Sequence, residues 1–183
     1  MALPQDMRGT YCMDKVRGFI FGCILGFLIW HIQAWAYPIG YDELIAVEDA
    51  EGYMEEHYVD IPIEVSDACE KYGEEYGIMP EIGKALVWRE TRCTDATNGK
   101  CQGYAQINVS VHKNRMKKLG VTDIHDIDGN IHIAFDILSD VYKDTESISK
   151  ALDIYNGNGK NGKSKYAKEI LKVAYCLDRT GGD

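Results

Sequence analysis

Residues 155–164 read YNGNGKNGKS, and this stretch admits two incompatible folds. Gly157 to Ser164 match G-x-x-x-x-G-K-[ST], the loop that cradles phosphates between a buried strand and a helix. Read the other way, Tyr155-Asn156-Gly157 closes a helix and the glycines and lysines behind it form a linker. The upstream residues decide. In SISKALDIYNG, Ile148, Ala151, Leu152 and Tyr155 fall at i, i+3, i+4 and i+7, the spacing of a helix, with Gly157 as its stop. Lys150 and Asp153 stand where a buried strand needs apolar side chains. The only nearby aspartate-bearing partner strand on offer, IAFD at 133–136, lies inside a helical stripe. The phosphate-loop match is therefore read as chance, and no ATP or other cofactor is expected.

Helical spacing continues on both sides. IPIEVSDACEKYGEEYG sets Val65, Ala68, Cys69 and Tyr72 on one face, and Gly77 can end it. MPEIGKALVWRETRC begins with Pro80, suited to a first turn, and buries Ile82, Ala85, Leu86 and either Trp88 or the stem of Arg89. VHKNRMKKLG reads as a short helix stopped by Gly120. DGNIHIAFDILSDVY carries the widest stripe: Ile131, Ala134, Phe135, Leu138, Val141 and Tyr142. After the linker, Ser164 can cap a last helix that faces Tyr166, Ala167, Ile170, Leu171 and Ala174 inward. Between the second and third helices, TDATNGKCQGYAQIN loses all period, and its Gly, Asn and Thr residues suggest turns and a small hairpin. The expected class is mainly α (α+β), a helical domain over residues 62–183 with one irregular β-hairpin segment.

Two segments precede that domain. Phe19 to Ala36 is an apolar run behind Arg8, Lys15 and Arg17, closing on Ala34-Trp35-Ala36 in the A-x-A pattern of a signal-peptidase site. Eighteen residues with His31 and Gln33 near the end are marginal for a span. Residues 1–36 thus read as a cleaved secretory signal or a retained anchor in contact with the membrane, and Met13 offers an alternative start. Either reading places the domain outside the cytoplasm: periplasm, cell envelope or beyond. Residues 37–61 are acidic and lack Lys and Arg, which reads as a spacer.

Charge and cysteines narrow the function classes. The chain has a net charge of −9. Nucleic-acid binding relies on neutralising phosphates, so such a partner is not expected. Beyond the leader, Cys69, Cys93, Cys101 and Cys176 remain, an even number suited to two disulfides with three possible connectivities. Cys93 and Cys101 flank a short polar loop, which favours Cys93–Cys101 and hence Cys69–Cys176. No C-x2-C or H-x3-H spacing supports a metal site.

Among candidate chemical groups, Glu90 stands out. It ends an apolar helix directly before the irregular polar segment, where backing by Leu86 and Val87 would desolvate the carboxyl and raise its pKa, as a general acid requires. A solvent-exposed helix-end glutamate is the plainer alternative. In chain order, Glu90-Thr91, Gly103-Tyr104-Ala105-Gln106, Asn130-Ile131 opening a helix and Tyr155-Asn156-Gly157 closing another resemble the soluble lytic transglycosylases of the lysozyme-like superfamily. The resemblance spans residues 62 to about 172 and answers the opening question in favour of a helix end that carries a Tyr-Asn pair. It implies a lysozyme-like fold with the hairpin segment lining a cleft, Glu90 as the single catalytic acid and base, and Thr91, Gln106, Tyr155 and Asn156 as substrate-binding residues.

The substrate so implied is peptidoglycan, cut at the β-1,4 bond between N-acetylmuramic acid and N-acetylglucosamine. Glu90 would protonate the leaving oxygen, the substrate acetamido group would stabilise the cation, and the muramoyl C6 hydroxyl would close a 1,6-anhydro ring. Three departures stand out: Thr91 replaces the usual Ser, Cys93 a frequent aromatic, and Ala105 a common Met. The Glu-to-Gln interval is also slightly short. Two other readings stay open: a muramidase that uses water, with Asp95 as second carboxylate, and a non-catalytic wall-binding module serving a secretion or conjugation apparatus.

Overall fold

The computed structural model describes residues 39–40, 58–159 and 161–180. All belong to the second of two units into which the chain divides, Tyr37–Asp183. The leader run and most of the acidic segment lie outside the described residues. Among the described residues no helix is long and apolar enough to cross a membrane.

Among the described residues, six helices and a three-stranded antiparallel sheet follow in order: α1 (Ile63–Tyr76), α2 (Pro80–Thr91), β1 (Thr97–Asn98), β2 (Cys101–Gln102), β3 (Ile107–Asn108), α3 (Val109–Leu119), α4 (Ile127–Thr145), α5 (Ile148–Tyr155) and α6 (Lys165–Thr180). The mainly helical class with a small β segment is what the periodicity predicts. The punctuation also falls where expected. Gly77 takes a left-handed φ of 66° and ends α1, Pro80 opens α2, and Gly120 closes α3 with φ 72°. Left-handed backbone costs glycine nothing, so each helix stops there and the chain turns.

The 155–164 stretch is a helix end and a linker. α5 stops at Tyr155, and Asn158 N–H returns to the Asp153 carbonyl at 2.8 Å. Asp153 is fully buried, and its carboxylate accepts from Lys163 N–H at 3.1 Å and from the Ser164 hydroxyl. Ser164 in turn accepts from Ala167 N–H at 3.1 Å and so caps α6. A buried carboxylate needs such donors. Asp153 thus pins both ends of the loop, which has a helix before it and no strand.

The core forms where α4 meets its neighbours. α1 packs on α4 and α2, α2 packs also on α6, and α5 bridges α4 and α6. Ile82, Leu86, Ile131, Leu138, Leu152 and Ile170 are fully buried, and Val141 and Tyr142, placed in the stripe by sequence, reach only its half-buried edge. Gly83 marks the closest helix approach: a Cβ there would run into the Phe135 ring and lie 3.2 Å from Cys69 Sγ. Gly83→Ala is expected to cost about 2 kcal/mol through overpacking. A urea midpoint unchanged from wild type, at constant m, would contradict that packing.

Both expected disulfides are absent. Cys93 and Cys101 are free thiols, and so is Cys69, which leaves no bridge to Cys176. Cys69 faces Gly83 of α2 rather than α6. Cys93 sits in left-handed backbone (φ 60°) behind the end of α2, where burial, with Asp60 adding to it, pushes its thiol up to about 11. Cys101 lies in β2. The short loop that brings Cys93 and Cys101 close in sequence is used instead to turn the chain into the sheet.

Candidate active site

The sheet is small, and its purpose is to present one loop. β1 pairs with β2 (Thr97 opposite Gln102) and β2 with β3 (Gln102 opposite Ile107), so Gly103 to Gln106 must turn within four residues. Gly103 (φ 79°) and Gln106 (φ 52°) take the left-handed backbone the turn requires. At Gly103 a Cβ would lie 2.7 Å from Asn130 Cγ and 2.6 Å from the Ile124 carbonyl, which leaves room for glycine alone.

Asn130, fully buried at the start of α4, holds this loop from beneath. Its Oδ1 accepts from Ala105 N–H at 2.8 Å, while its Nδ2 donates to the carbonyls of Ile124 at 2.8 Å and Gln102 at 3.2 Å. Three residues singled out from sequence converge on the same loop. Thr91, on the last turn of α2, donates its hydroxyl to the Tyr104 carbonyl at 2.7 Å. Tyr155, ending α5, donates to the Ala105 carbonyl at 2.7 Å. Gln106 donates its amide nitrogen to the carbonyls of Ala96 and Gly103, both at 2.9 Å. The side-chain bonds of Thr91 and Tyr155 thus go to the loop rather than outward, and Gln106 keeps its amide oxygen as an acceptor. Asn156 is exposed at the C-cap of α5.

Glu90 sits one residue before Thr91, half-buried, and is not the solvent-exposed helix end of the plainer reading. Burial raises its pKa above the usual carboxylate value, against the weaker pull of the Tyr166 hydroxyl and of Arg89. The Tyr166 hydroxyl donates to Glu90 Oε1. Tyr155 and Tyr166 are both pushed well above the ordinary phenol value, first by burial and then by the charge of Glu90, so both remain neutral donors. Arg89 is drawn off to Glu169 of α6, Nε to Oε2 at 2.7 Å, with its guanidinium 5.6 Å from the Tyr166 ring. The arrangement is a partly desolvated carboxyl bonded by one neutral phenol, Tyr166, while a second neutral phenol, Tyr155, fixes the Ala105 carbonyl of the loop.

Tyr166 is the site residue that sequence reading missed. Its position in the first turn of α6 matches the apolar stripe and so reads as core; the ring is indeed buried while the hydroxyl reaches Glu90. Tyr166→Phe removes the hydrogen bond that favours the ionised carboxylate. The Glu90 titration midpoint, followed by carboxyl carbon-13 shifts, is therefore expected to move further up. A midpoint that stays put or falls would show that this bond does not act on Glu90.

Asp95, the candidate second carboxylate, is exposed and engaged by His125 Nδ1 at 2.8 and 3.0 Å, which raises the His125 pKa. Among the described residues no group of three or more His, Cys, Asp or Glu is placed to hold a metal ion. Compared with models of known protein families and with curated protein sequences, the chain matches none.

Proposed function

We propose that the domain is a peptidoglycan lytic transglycosylase that cleaves the N-acetylmuramic acid–β-1,4–N-acetylglucosamine bond and leaves a 1,6-anhydromuramoyl end. The observation that carries this reading is Glu90: a carboxyl with raised pKa, bonded by the Tyr166 hydroxyl and flanked by Tyr155. A single group that first gives and then takes a proton works best with a pKa above the ordinary carboxylate value, and partial burial shifts Glu90 in that direction.

Protonated Glu90 donates to the leaving glycosidic oxygen. As the carboxylate forms, the Tyr166 O–H bond strengthens, because hydrogen bonds to ionised acceptors are the stronger ones. The substrate's own acetamido oxygen stabilises the developing cation, a route that needs no second protein carboxylate. Glu90 then takes the proton from the muramoyl C6 hydroxyl as that oxygen attacks C1, an oriented intramolecular step. Gln106 offers its amide oxygen to an N–H or O–H of the sugar. The place of action that fits this chemistry is the cell envelope, outside the cytoplasm. A secretion or conjugation apparatus that must open the wall is a fitting partner.

The test is mass spectrometry of sacculi digested with the protein. Muropeptides lighter than the reducing product by one water support the transglycosylase. Reducing ends would make it a hydrolase, and the absence of any release by folded protein would leave only glycan binding.

A further inference from the structure

Between Ala96 and Thr122 the chain carries five Lys or Arg and no Asp or Glu, although its overall net charge is −9. The fold sorts four of these cations onto two sides of α3. Arg115 and Lys118 turn toward α4, where Arg115 pairs with Asp136 and, at 2.9 Å, with Asp140, and Lys118 lies 3.7 Å from Asp136. Lys113 and Lys117 are one turn apart on another face, with Met116 beside them and Val109 across a kink at His112. This face, together with the β1–β2 turn that bears Lys100, encloses a groove of about 770 Å³. Val109, Met116 and Val121 give it an apolar surface, and Lys100, Lys113 and Lys117 place three ammonium groups around that surface.

None of these three lysines has a carboxylate partner among the described residues, whereas the cations facing α4 do. α3 has no buried residue, so the lysines are not needed to cover a core. Like charges one turn apart on a helix are destabilising by about 0.2–0.5 kcal/mol. An anionic ligand would reverse that sign. Gln102 lines the groove, and the loop Gly103 to Gln106 follows it directly in the chain.

We propose that this groove holds the stem peptide of a peptidoglycan strand, its carboxylates facing Lys100, Lys113 and Lys117 and its alanine methyl groups on Val109, Met116 and Val121. The proposal rests on the glycan-cleaving reading of Glu90. The stem peptide fits on charge and on polarity: it is short, bears several carboxylates, is rich in alanine, and hangs from the muramoyl residue beside the bond to be cut. The glycan backbone itself is uncharged where the lactyl group is amidated, so it gives the lysines nothing to pair with.

The test uses the full chain, with fluorescence anisotropy of a dye-labelled stem tetrapeptide read at low and high salt. Each exposed ion pair contributes little by itself, so the double change Lys113→Ala/Lys117→Ala is expected to weaken binding by up to about tenfold. Lys113→Arg/Lys117→Arg should restore it, and salt should weaken binding to the wild type more than to the alanine variant. These lysines lie on the surface, so a thermal melt like that of wild type is expected of both variants. Tetrapeptide bound equally by wild type and the alanine variant, or not bound at all, overturns the proposal. So does binding of poly(glycerol phosphate) in place of the tetrapeptide, which would make the groove a site for phosphate polymers. Turnover of peptide-bearing and peptide-stripped glycan is measured beside it. Loss of turnover on both, with tetrapeptide binding intact, would fail the catalytic reading and leave the groove standing.

Discussion

Glu90→Gln is expected to lower glycan cleavage by about 10³-fold while leaving wall binding intact. Glutamine keeps the volume of the side chain and can still accept from the Tyr166 hydroxyl, but it has no transferable proton. The proposed chemistry asks Glu90 both to give and to take a proton, so both halves of the reaction stop. Pelleting with sacculi reads binding, and release of soluble muropeptides reads cleavage. Wild-type lysis by the variant would remove Glu90 from the mechanism and with it the transglycosylase reading.

The same substitution should stabilise the fold at neutral pH, on the order of 1 kcal/mol. The sign follows from the raised pKa of Glu90. Below the unfolded carboxyl value near 4.5, Glu90 is protonated in both states and contributes no pH dependence. As pH rises through the window up to the folded value, the native state holds the proton that the unfolded state has released, and stability falls with pH. Above the folded value the penalty for burying the charge is fully present. The advantage of Glu90→Gln in melting temperature should therefore be greatest at neutral pH and shrink toward pH 4. An advantage that grows on acidification would mean that Glu90 is a stabilising carboxylate in the folded state.

The second large effect is expected at Asn130, where replacement by Ala should cost about 3–5 kcal/mol. Its side chain satisfies Ala105 N–H and the carbonyls of Ile124 and Gln102 with no exposure to water. Alanine leaves the buried Ala105 donor and the Ile124 acceptor without their bonds, and the part-buried Gln102 carbonyl loses its bond as well. The damage should also reach the site, because Ala105 is the residue whose carbonyl accepts from Tyr155. Asn130→Asp preserves an acceptor for Ala105 N–H but sets a buried carboxylate oxygen against the two carbonyls, so at neutral pH it should cost at least as much as Asn130→Ala. Urea unfolding read by circular dichroism gives the ranking. A loss below about 1 kcal/mol for Asn130→Ala would mean that the loop is held mainly by Thr91, Gln106 and Tyr155.

Different residue types differed in how far they could be read. The helical stripes of α1, α4, α5 and α6 were legible because burial of one face imposes a period of about 3.6 on the chain itself. Gly77, Pro80, Gly120 and Ser164 were legible because each answers a backbone demand within a few residues. The two strands after the hairpin turn were only partly visible: two-residue strands leave no alternation to detect. The cysteine pairing was misread, since proximity in sequence says nothing about which way a thiol points. Cys69 lies against Gly83 of α2, and Cys93 stands in left-handed backbone just past the end of α2.

The candidate site divides along the same line. Glu90, Thr91, Gln106 and Tyr155 could be named from the order of short motifs. Their division of labour could not, because Thr91, Gln106 and Tyr155 meet on one loop only after α2, the sheet and α5 are packed. Tyr166 and the anchoring of the loop by Asn130 are likewise products of packing. By itself the sequence determined the class of fold and the main helix stops, because these depend on periodicity and neighbours along the chain, while Glu90 was singled out only by the order of motifs that carries the resemblance. Only the tertiary structure decided which phenol holds that carboxyl, which side chains secure the loop and where the unpaired lysines gather, because burial, hydrogen-bond partners and pKa depend on groups many residues away.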